Sequence, residues 1–330
     1  MVFQDRYDRI HDDLRVSVTD RCNLRCSYCM PTEPAWFPRD KILSYEEIVR
    51  LVRITTQYGV RKIRLTGGEP LVRRDVPDLV GMIAGLPGIE DLSLTTNGLL
   101  LGSMAGALKD AGLRRVNVSL DTLSAERFAA MTRRDALSRA LDGIAAAIEA
   151  GLSPLKVNSV VLRGENDDEI EHLVEHARNH GWELRFIEFM PLENGGTWDL
   201  SRVVSGAEVR SRIEKHWQLE SWPQNDPHAP ATRFRFRDGR GSVGFVNSVT
   251  EPFCASCSRL RLTADGHFRV CLYDLNEVDL KTPLRAGATD EDLALRMQRG
   301  VSAKGRGGAL QILEQKSALP LVRTMHQIGG

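Results

Sequence analysis

The chain has 330 residues, 42% of them hydrophobic, and its 44 Lys and Arg balance 44 Asp and Glu. That length suits one large domain and a smaller one, and a net charge of zero gives no global field for nucleic acid, so any anion site must be a local cluster of cations. No apolar run approaches the roughly 18 residues that would span a bilayer, and the opening MVFQDRYDRIHDDLR carries no apolar signal segment, so a reducing, cytoplasmic setting is expected.

From residue 13 to about 190, short apolar runs alternate with helical patterns. Strands are predicted at 14–18, 62–66, 91–95, 115–119, 155–161 and 183–188. Between them, Ser44-Tyr-Glu-Glu opens a helix with a capping-box pattern, and further helices are predicted at 75–83, 102–111, 136–150 and 167–179. Strand, helix, strand at this spacing reads as repeated βαβ units and a parallel sheet. The expected fold is therefore α/β: an incomplete (β/α)6 barrel of parallel strands, with a C-terminal extension. An open doubly wound sheet is the alternative that periodicity leaves standing. In barrels the active site forms at the C-terminal ends of the strands. The unusual residues follow those ends here: Cys22, Cys26 and Cys29, then Thr66-Gly-Gly-Glu-Pro70, Thr95-Thr-Asn-Gly98, Ser119-Leu-Asp121 and Glu188-Phe-Met-Pro191.

A helix at 205–216 should close this part. Three prolines in 221–230 mark a linker, which divides the chain into 1–222 and 223–330. Residues 231–275 alternate in strand fashion, and Asp265-Gly266 signals a two-residue hairpin turn that would set Cys271 opposite Leu260. A helix is predicted at 290–298, the basic, Gly-rich run 302–308 reads as a mobile surface loop, and 325–330 would ordinarily be a frayed end.

All six cysteines fall in two triplets, Cys22-x3-Cys26-x2-Cys29 and Cys254-x2-Cys257-x13-Cys271. Thiolates suit iron–sulfur clusters and zinc. A fully protein-bound [4Fe–4S] cube uses four cysteines, so three per cube leaves one iron open to a small molecule. Structural zinc would want a fourth ligand, for which only His267 and His11 lie near the two triplets. A disulfide framework belongs to small secreted domains. Arg259 and Arg261 share one strand face and form a fork for phosphate oxygens, and Arg15, Lys62 and Arg64 alternate in the same way. Buried strand faces seldom carry such cations without an anionic ligand, although Lys62 could equally pair with a carboxylate.

Cys22-Asn-Leu-Arg-Cys26-Ser-Tyr-Cys29 with Thr66-Gly-Gly-Glu-Pro70 resembles the radical S-adenosylmethionine (SAM) superfamily. The second triplet, Arg259-Leu-Arg261 and the terminal Gly329-Gly330 resemble, within it, the GTP 3′,8-cyclase family of molybdenum cofactor biosynthesis, from about residue 5 to the last. The resemblance implies two [4Fe–4S] clusters, one on Cys22, Cys26 and Cys29 that binds SAM, the other on Cys254, Cys257 and Cys271 that binds substrate. It implies SAM contacts at Tyr28, Gly68, Ser119 and Met190. It implies GTP contacts at Arg15, Arg64, Thr95, Lys156, Arg259, Leu260 and Arg261, with Arg15, Arg259, Arg261, Gly329 and Gly330 serving catalysis. The implied partners are GTP, a downstream cyclic pyranopterin monophosphate synthase and an electron donor such as flavodoxin or ferredoxin. Homodimer formation is left open, and neither nucleic acid nor membrane is expected. A peptide-modifying radical SAM maturase would usually carry more auxiliary cysteines, and an iron–sulfur redox sensor would need neither the GGEP loop nor the arginine pair.

Overall fold

In the computed structural model, described for residues 1–192, 198–223, 226–315 and 323–329, six βα units follow one another. They run β1 (Asp13–Ser17), α1 (Tyr45–Thr56), β2 (Lys62–Thr66), α2 (Val76–Ala84), β3 (Asp91–Thr96), α3 (Leu101–Asp110), β4 (Arg115–Ser119), α4 (Ala125–Thr132), α5 (Leu137–Glu149), β5 (Lys156–Val161), α6 (Ile170–His180), β6 (Glu183–Glu188) and α7 (Gly206–Glu214). The remainder supplies β7 (Leu219–Ser221), β8 (Thr232–Phe236), β9 (Ser242–Val246), β10 (Arg259–Leu262), β11 (His267–Arg269), β12 (Val278–Asp279), α8 (Lys281–Arg285), α9 (Asp290–Ser302), α10 (Gly308–Gln315) and α11 (Met325–Ile328).

All six expected strands form, and α1 starts as its sequence requires. Ser44 Oγ accepts the Glu47 N–H at 3.2 Å while the Glu47 carboxylate accepts the Ser44 N–H at 2.7 Å. Helix α4 was not legible: Ser124 caps it, but residue three positions on is Arg127, so the reciprocal carboxylate of a capping box is missing.

The strand order is β12-β11-β10-β1-β2-β3-β4-β5-β6-β9-β8-β7. The six expected strands are thus flanked by two more parallel ones, β10 beside β1 and β9 beside β6, both from the C-terminal region. Successive helices pack on their chain neighbours, α1 on α2, α2 on α3 and α3 on α5, as a barrel wall does and a doubly wound sheet does not.

Residues opposite one another on paired strands share a face, and the face alternates along each strand. Leu14, Val16, Ile63, Leu65, Leu92, Leu94, Val116 and Val118 point outward under the helices and are buried. The other face is polar. Arg261, Arg15, Arg64, Ser93 and Arg115 follow in register across five strands, and Asn117, Lys156 and Glu183 across three. Parallel strands covered on both faces are ordinarily apolar throughout. A polar inner face therefore marks a lined interior and not a packed core.

The hairpin after β10 differs from expectation. Arg261 pairs with Arg269 and Leu262 with Phe268, so the loop holds three residues, Ala264-Asp265-Gly266, with Gly266 at φ +84°. Gly266 N–H donates to Thr263 O at 2.9 Å, a turn that closes with a left-handed residue. This one-residue change of register flips every later side chain. It aligns Cys271 with the parity of Arg259 and Arg261 instead of with Leu260. The run 302–308 is also corrected: Lys304 is only 2% exposed, and Gly307 lies so close to Cys254 that a Cβ would overlap its sulfur.

Gly266→Ala tests the hairpin. A Cβ there would lie 2.6 Å from Lys281 Cβ at a left-handed φ. The variant should lose about 1–3 kcal/mol of stability in thermal unfolding; an unchanged midpoint would show that the turn does not need glycine.

Candidate active site

The loop after β1 carries the first triplet, and three buried carboxylates at strand ends tie its surroundings together. Glu69, after β2, accepts the Asn97 N–H and the Thr96 hydroxyl, both at 2.7 Å, and the Leu71 N–H at 3.1 Å. Asn97 in turn donates through Nδ2 to Asn23 Oδ1 at 2.7 Å and to Cys22 Sγ at 3.8 Å. Asp121, after β4, accepts the Tyr28 hydroxyl at 2.5 Å and the Val160 N–H at 2.8 Å. Glu188, ending β6, accepts the Val249 and Thr250 N–H groups, both at 2.8 Å. Burial is the chief influence on the first two and pushes Glu69 up to about 7 and Asp121 up to about 6. Only a polar residue beside each loop hinted at these roles.

Cys22, Cys26 and Cys29 are half-buried on consecutive turns, with Cys29 N–H donating to Cys26 O at 3.0 Å and Leu24 N–H to Cys22 Sγ at 3.4 Å. Burial raises all three thiols, Cys22 to about 11 and Cys29 to about 12; Glu69 adds to the rise at Cys22, and Cys26 and Cys29 each also feel another of the three as a like charge. Unligated, they hold their protons; a metal group must displace them. Three adjacent, partly accessible sulfurs with N–H donors fit an iron–sulfur cluster. Gly68 is needed for a reason that SAM does not supply: a Cβ there would overlap the Asp20 and Arg21 carbonyls. Ser119 ends β4, and Met190 follows β6 and packs against the cluster of Leu192, Tyr273 and Ile312.

Cys254, Cys257 and Cys271 are also half-buried and lie close enough for Cys254 to feel both others. Burial would raise Cys257, but the charges of Arg259 and Lys304 outweigh it and bring the thiol down to about 6. His11 has both ring nitrogens engaged, and His267 has its Nδ1 engaged. His11 contacts Asp5 Oδ2 at 3.0 Å and Lys304 Nζ at 3.4 Å through its two nitrogens, and His267 Nδ1 faces Asp265 at 3.1 Å and Arg323 at 3.2 Å. No group of three His, Cys, Asp or Glu among the described residues is gathered as for a single metal ion.

Between the triplets lies the row of interior cations. Among the described residues, Arg15, Arg64, Lys156, Arg259 and Arg261 have no carboxylate within ion-pair distance; Lys62 does, with Asp12 at 2.9 Å and Asp226 at 2.8 Å. Arg259 instead donates to Cys257 Sγ at 3.4 Å and lies 4.6 Å from the Phe253 ring, so the two guanidiniums do not form one fork. Among the described residues Arg64 reaches only Ser93 Oγ, at 3.3 Å, and Arg15 Nε, Thr66 Oγ1 and Asn117 Oδ1 are buried without a partner. Burial, and then the neighbouring Arg261 and Arg64, depress Arg15; burial, with Arg185 and Arg115, brings Lys156 down to about 7. Arg64, Lys156 and Arg185 line a cavity of about 290 Å³ that Pro223, His228 and Pro230 of the linker cover. Thr95 stands on β3 opposite Asn117, and Leu260 lies on the outward face.

The C-terminal segment is docked. Arg323 pairs with Asp265 at 2.9 Å and Glu277 at 2.7 Å, and the His326 ring meets Trp36 edge-on at 5.5 Å. The Gly329 carbonyl accepts a hydrogen bond from Arg261, and its φ is +87°. A Cβ at Gly329 would lie 2.6 Å from Thr66 Oγ1 and 2.9 Å from Ser17 Cβ. Gly330 lies outside the described residues.

Comparison with known proteins bears on this geometry. The fold resembles the crystal structure of Streptococcus suis SuiB, with a TM-score of 0.61 at 16% identity, over 88% of this chain and 67% of that one. The radical SAM superfamily pattern matches residues 16–177, and the Molybdenum Cofactor Synthesis C pattern matches 182–309. A GTP 3′,8-cyclase from Pelotomaculum thermopropionicum is 48% identical, over 99% of this chain and 100% of its own length. The chain belongs to the GTP 3′,8-cyclase family of radical SAM proteins. The mitochondrial GTP 3′,8-cyclase of Arabidopsis thaliana is 44% identical, over 99% of this chain and 83% of its own. Membership of the radical SAM superfamily implies SAM and one [4Fe–4S] cluster, and the first triplet's donor set fits that cluster. No helix among the described residues is long and apolar enough to cross a membrane.

Two outcomes follow from this cyclase-family site. Between about pH 7 and 10.5 the empty fold binds less proton at Lys156 than a free lysine would, so an anion that restores its charge must bind with proton uptake. Calorimetry with inorganic triphosphate at pH 8.5, in buffers of different ionisation enthalpy, should show an uptake that Lys156→Met removes. Gly329→Ala should unseat the tail, seen as faster hydrogen exchange at 323–329 with the thermal midpoint little changed; unaltered exchange would mean that the tail tolerates a side chain.

Proposed function

We propose that this chain is a GTP 3′,8-cyclase that converts GTP to 3′,8-cyclo-7,8-dihydroguanosine 5′-triphosphate, the first step of molybdenum cofactor biosynthesis. The observation that carries this reading is the row of interior cations without carboxylate partners, Arg261, Arg15 and Arg64, in register across three strands between two cysteine triplets. Bare buried cations are costly, and a polyanion offsets that cost.

In this reading Cys22, Cys26 and Cys29 would hold the SAM cluster, and Cys254, Cys257 and Cys271 would hold a second [4Fe–4S] cluster that binds the substrate. With SAM, the first cluster supplies a 5′-deoxyadenosyl radical able to take hydrogen from C3′ of the ribose. The chain orients and shields. Arg15, Arg64 and Lys156 receive the triphosphate, with Thr95 beside them. Arg259 and Arg261, joined by Leu260, connect the second triplet to that row. Tyr28, Gly68, Ser119 and Met190 border the SAM side. Gly329, held by Arg261, closes the mouth and excludes water from a radical reaction. Residues 1–222 then form the radical SAM partial barrel, which also supplies the triphosphate contacts, and 223–330 the region that carries the second cluster and completes the substrate site. The product is an 8,3′-bridged nucleotide for a cyclic pyranopterin monophosphate synthase, and each turnover needs a low-potential electron donor such as a flavodoxin or ferredoxin.

Anaerobically reconstituted protein should hold about eight irons. Cys26→Ala should remove about half of them and all SAM cleavage. Cys271→Ser should leave SAM cleavage in place while cyclised nucleotide, followed by mass spectrometry, falls steeply. Near-normal cyclisation by Cys271→Ser would sink the substrate role of the second triplet.

A further inference from the structure

Lys304 lies just beyond α9 and is among the largest fully buried side chains. Among the described residues no carboxylate comes within ion-pair distance of its ammonium. Its neighbours are the Arg259 carbonyl at 3.2 Å, His11 Nδ1 at 3.4 Å and Cys257 Sγ at 3.7 Å. A buried ammonium without an anion is strongly unfavourable, and the one neighbour able to carry negative charge is the cysteine sulfur.

The surroundings fix this orientation. His11 Nε2 faces Asp5 Oδ2 at 3.0 Å, so that nitrogen holds the proton and Nδ1 is left to accept from Lys304. Asp5 is itself engaged by Arg9 Nε at 2.7 Å and by the Tyr7 N–H at 2.9 Å. Arg9 then clamps the other side, donating to Cys254 O and Arg306 O, both at 2.8 Å, and to Gly305 O at 2.7 Å. The chain's first residues thus form a rigid wall behind the second triplet, and Lys304 is the point where that wall touches a ligand.

We propose that Lys304 is a positioning residue for the second triplet: held by His11 and the Arg259 carbonyl, its ammonium donates to the Cys257 sulfur and raises the electron affinity of the iron–sulfur cluster bound there. The inference rests on the proposal that Cys254, Cys257 and Cys271 hold a cluster. Hydrogen bonds to the sulfurs and nearby charge are the terms through which a protein sets a cluster's potential. A cation favours the added electron, so its removal must lower the potential.

The test is a potentiometric titration followed by electron paramagnetic resonance on full-length, reconstituted protein, with Cys26→Ala as the background that silences the first triplet. Lys304→Met should move the midpoint negative by at least tenfold in the one-electron equilibrium, about 59 mV. Lys304→Gln, which keeps a donor without the charge, should fall between. A purely structural lysine would change iron content or melting temperature and leave the potential of the bound cluster where it was. Full iron content with an unshifted potential in both variants overturns the inference alone. Should Lys304→Met fail to fold, Lys304→Gln decides, and an unshifted potential there overturns it. Wild-type protein with only about four irons overturns the two-cluster reading, and this inference falls with it.

Discussion

The parallel pairing of β10 with β1 is the constraint on which the site depends. It sets Arg259 opposite Asp13 and Arg261 opposite Arg15. A strand from the C-terminal third thereby lies beside the strand that leads into the first triplet. Without that pairing the two triplets would sit on separate parts of the chain. With it, they face one polar interior, and Arg261 can reach both the row of cations and the Gly329 carbonyl.

Two electrostatic environments result. The first triplet feels carboxylates: after burial, Cys22 is raised by Glu69, and Cys26 and Cys29 by one another or by Cys22 and by Asp121. The second feels cations, and Cys257 is held down by Arg259 and Lys304 against its burial. The carboxylates are not idle charges, since Glu69 also accepts the Asn97 and Leu71 N–H groups and Asp121 that of Val160 on β5. Fixed donors and acceptors of this kind hold reacting groups in place without reorganisation at the moment of reaction.

Much of this was legible in the sequence. Period-two runs between helical stretches located all six strands of the first domain, because one face of each is apolar under helices. The cysteine spacings and the GGEP turn lay at strand ends as expected. The misses have physical causes. Ser124 lacks a carboxylate partner three residues on, so α4 left no capping box. Asp265-Gly266 is compatible with loops of two or three residues, and only packing against Lys281 and Leu43 decides. The run at 302–308 reads as solvent-exposed because its partners, Arg6, Arg9, His11 and Cys254, are remote in sequence. Long-range hydrogen bonding leaves no local trace, whereas periodicity and turns do.

Those remote partners also impose an order on biogenesis. The hydrogen bonds that hold Asn23 and Tyr28 run to Asn97, Asp121 and, through it, Val160, while the Cys29 sulfur also accepts the backbone N–H of His326 from the far end of the chain. The wall behind the second triplet joins Arg9 to Cys254, 245 residues away, and to Arg306, 297 residues away. During synthesis the walls that Asn97, Asp121 and Val160 give the first pocket can form while the ribosome still holds the rest, with His326 added last, but the second has no back until almost the whole polypeptide has emerged. Contacts of such separation form late and leave unpaired surface exposed meanwhile. A chain stalled before Arg306 would therefore have no back to its second pocket, while its first would lack the contact from His326.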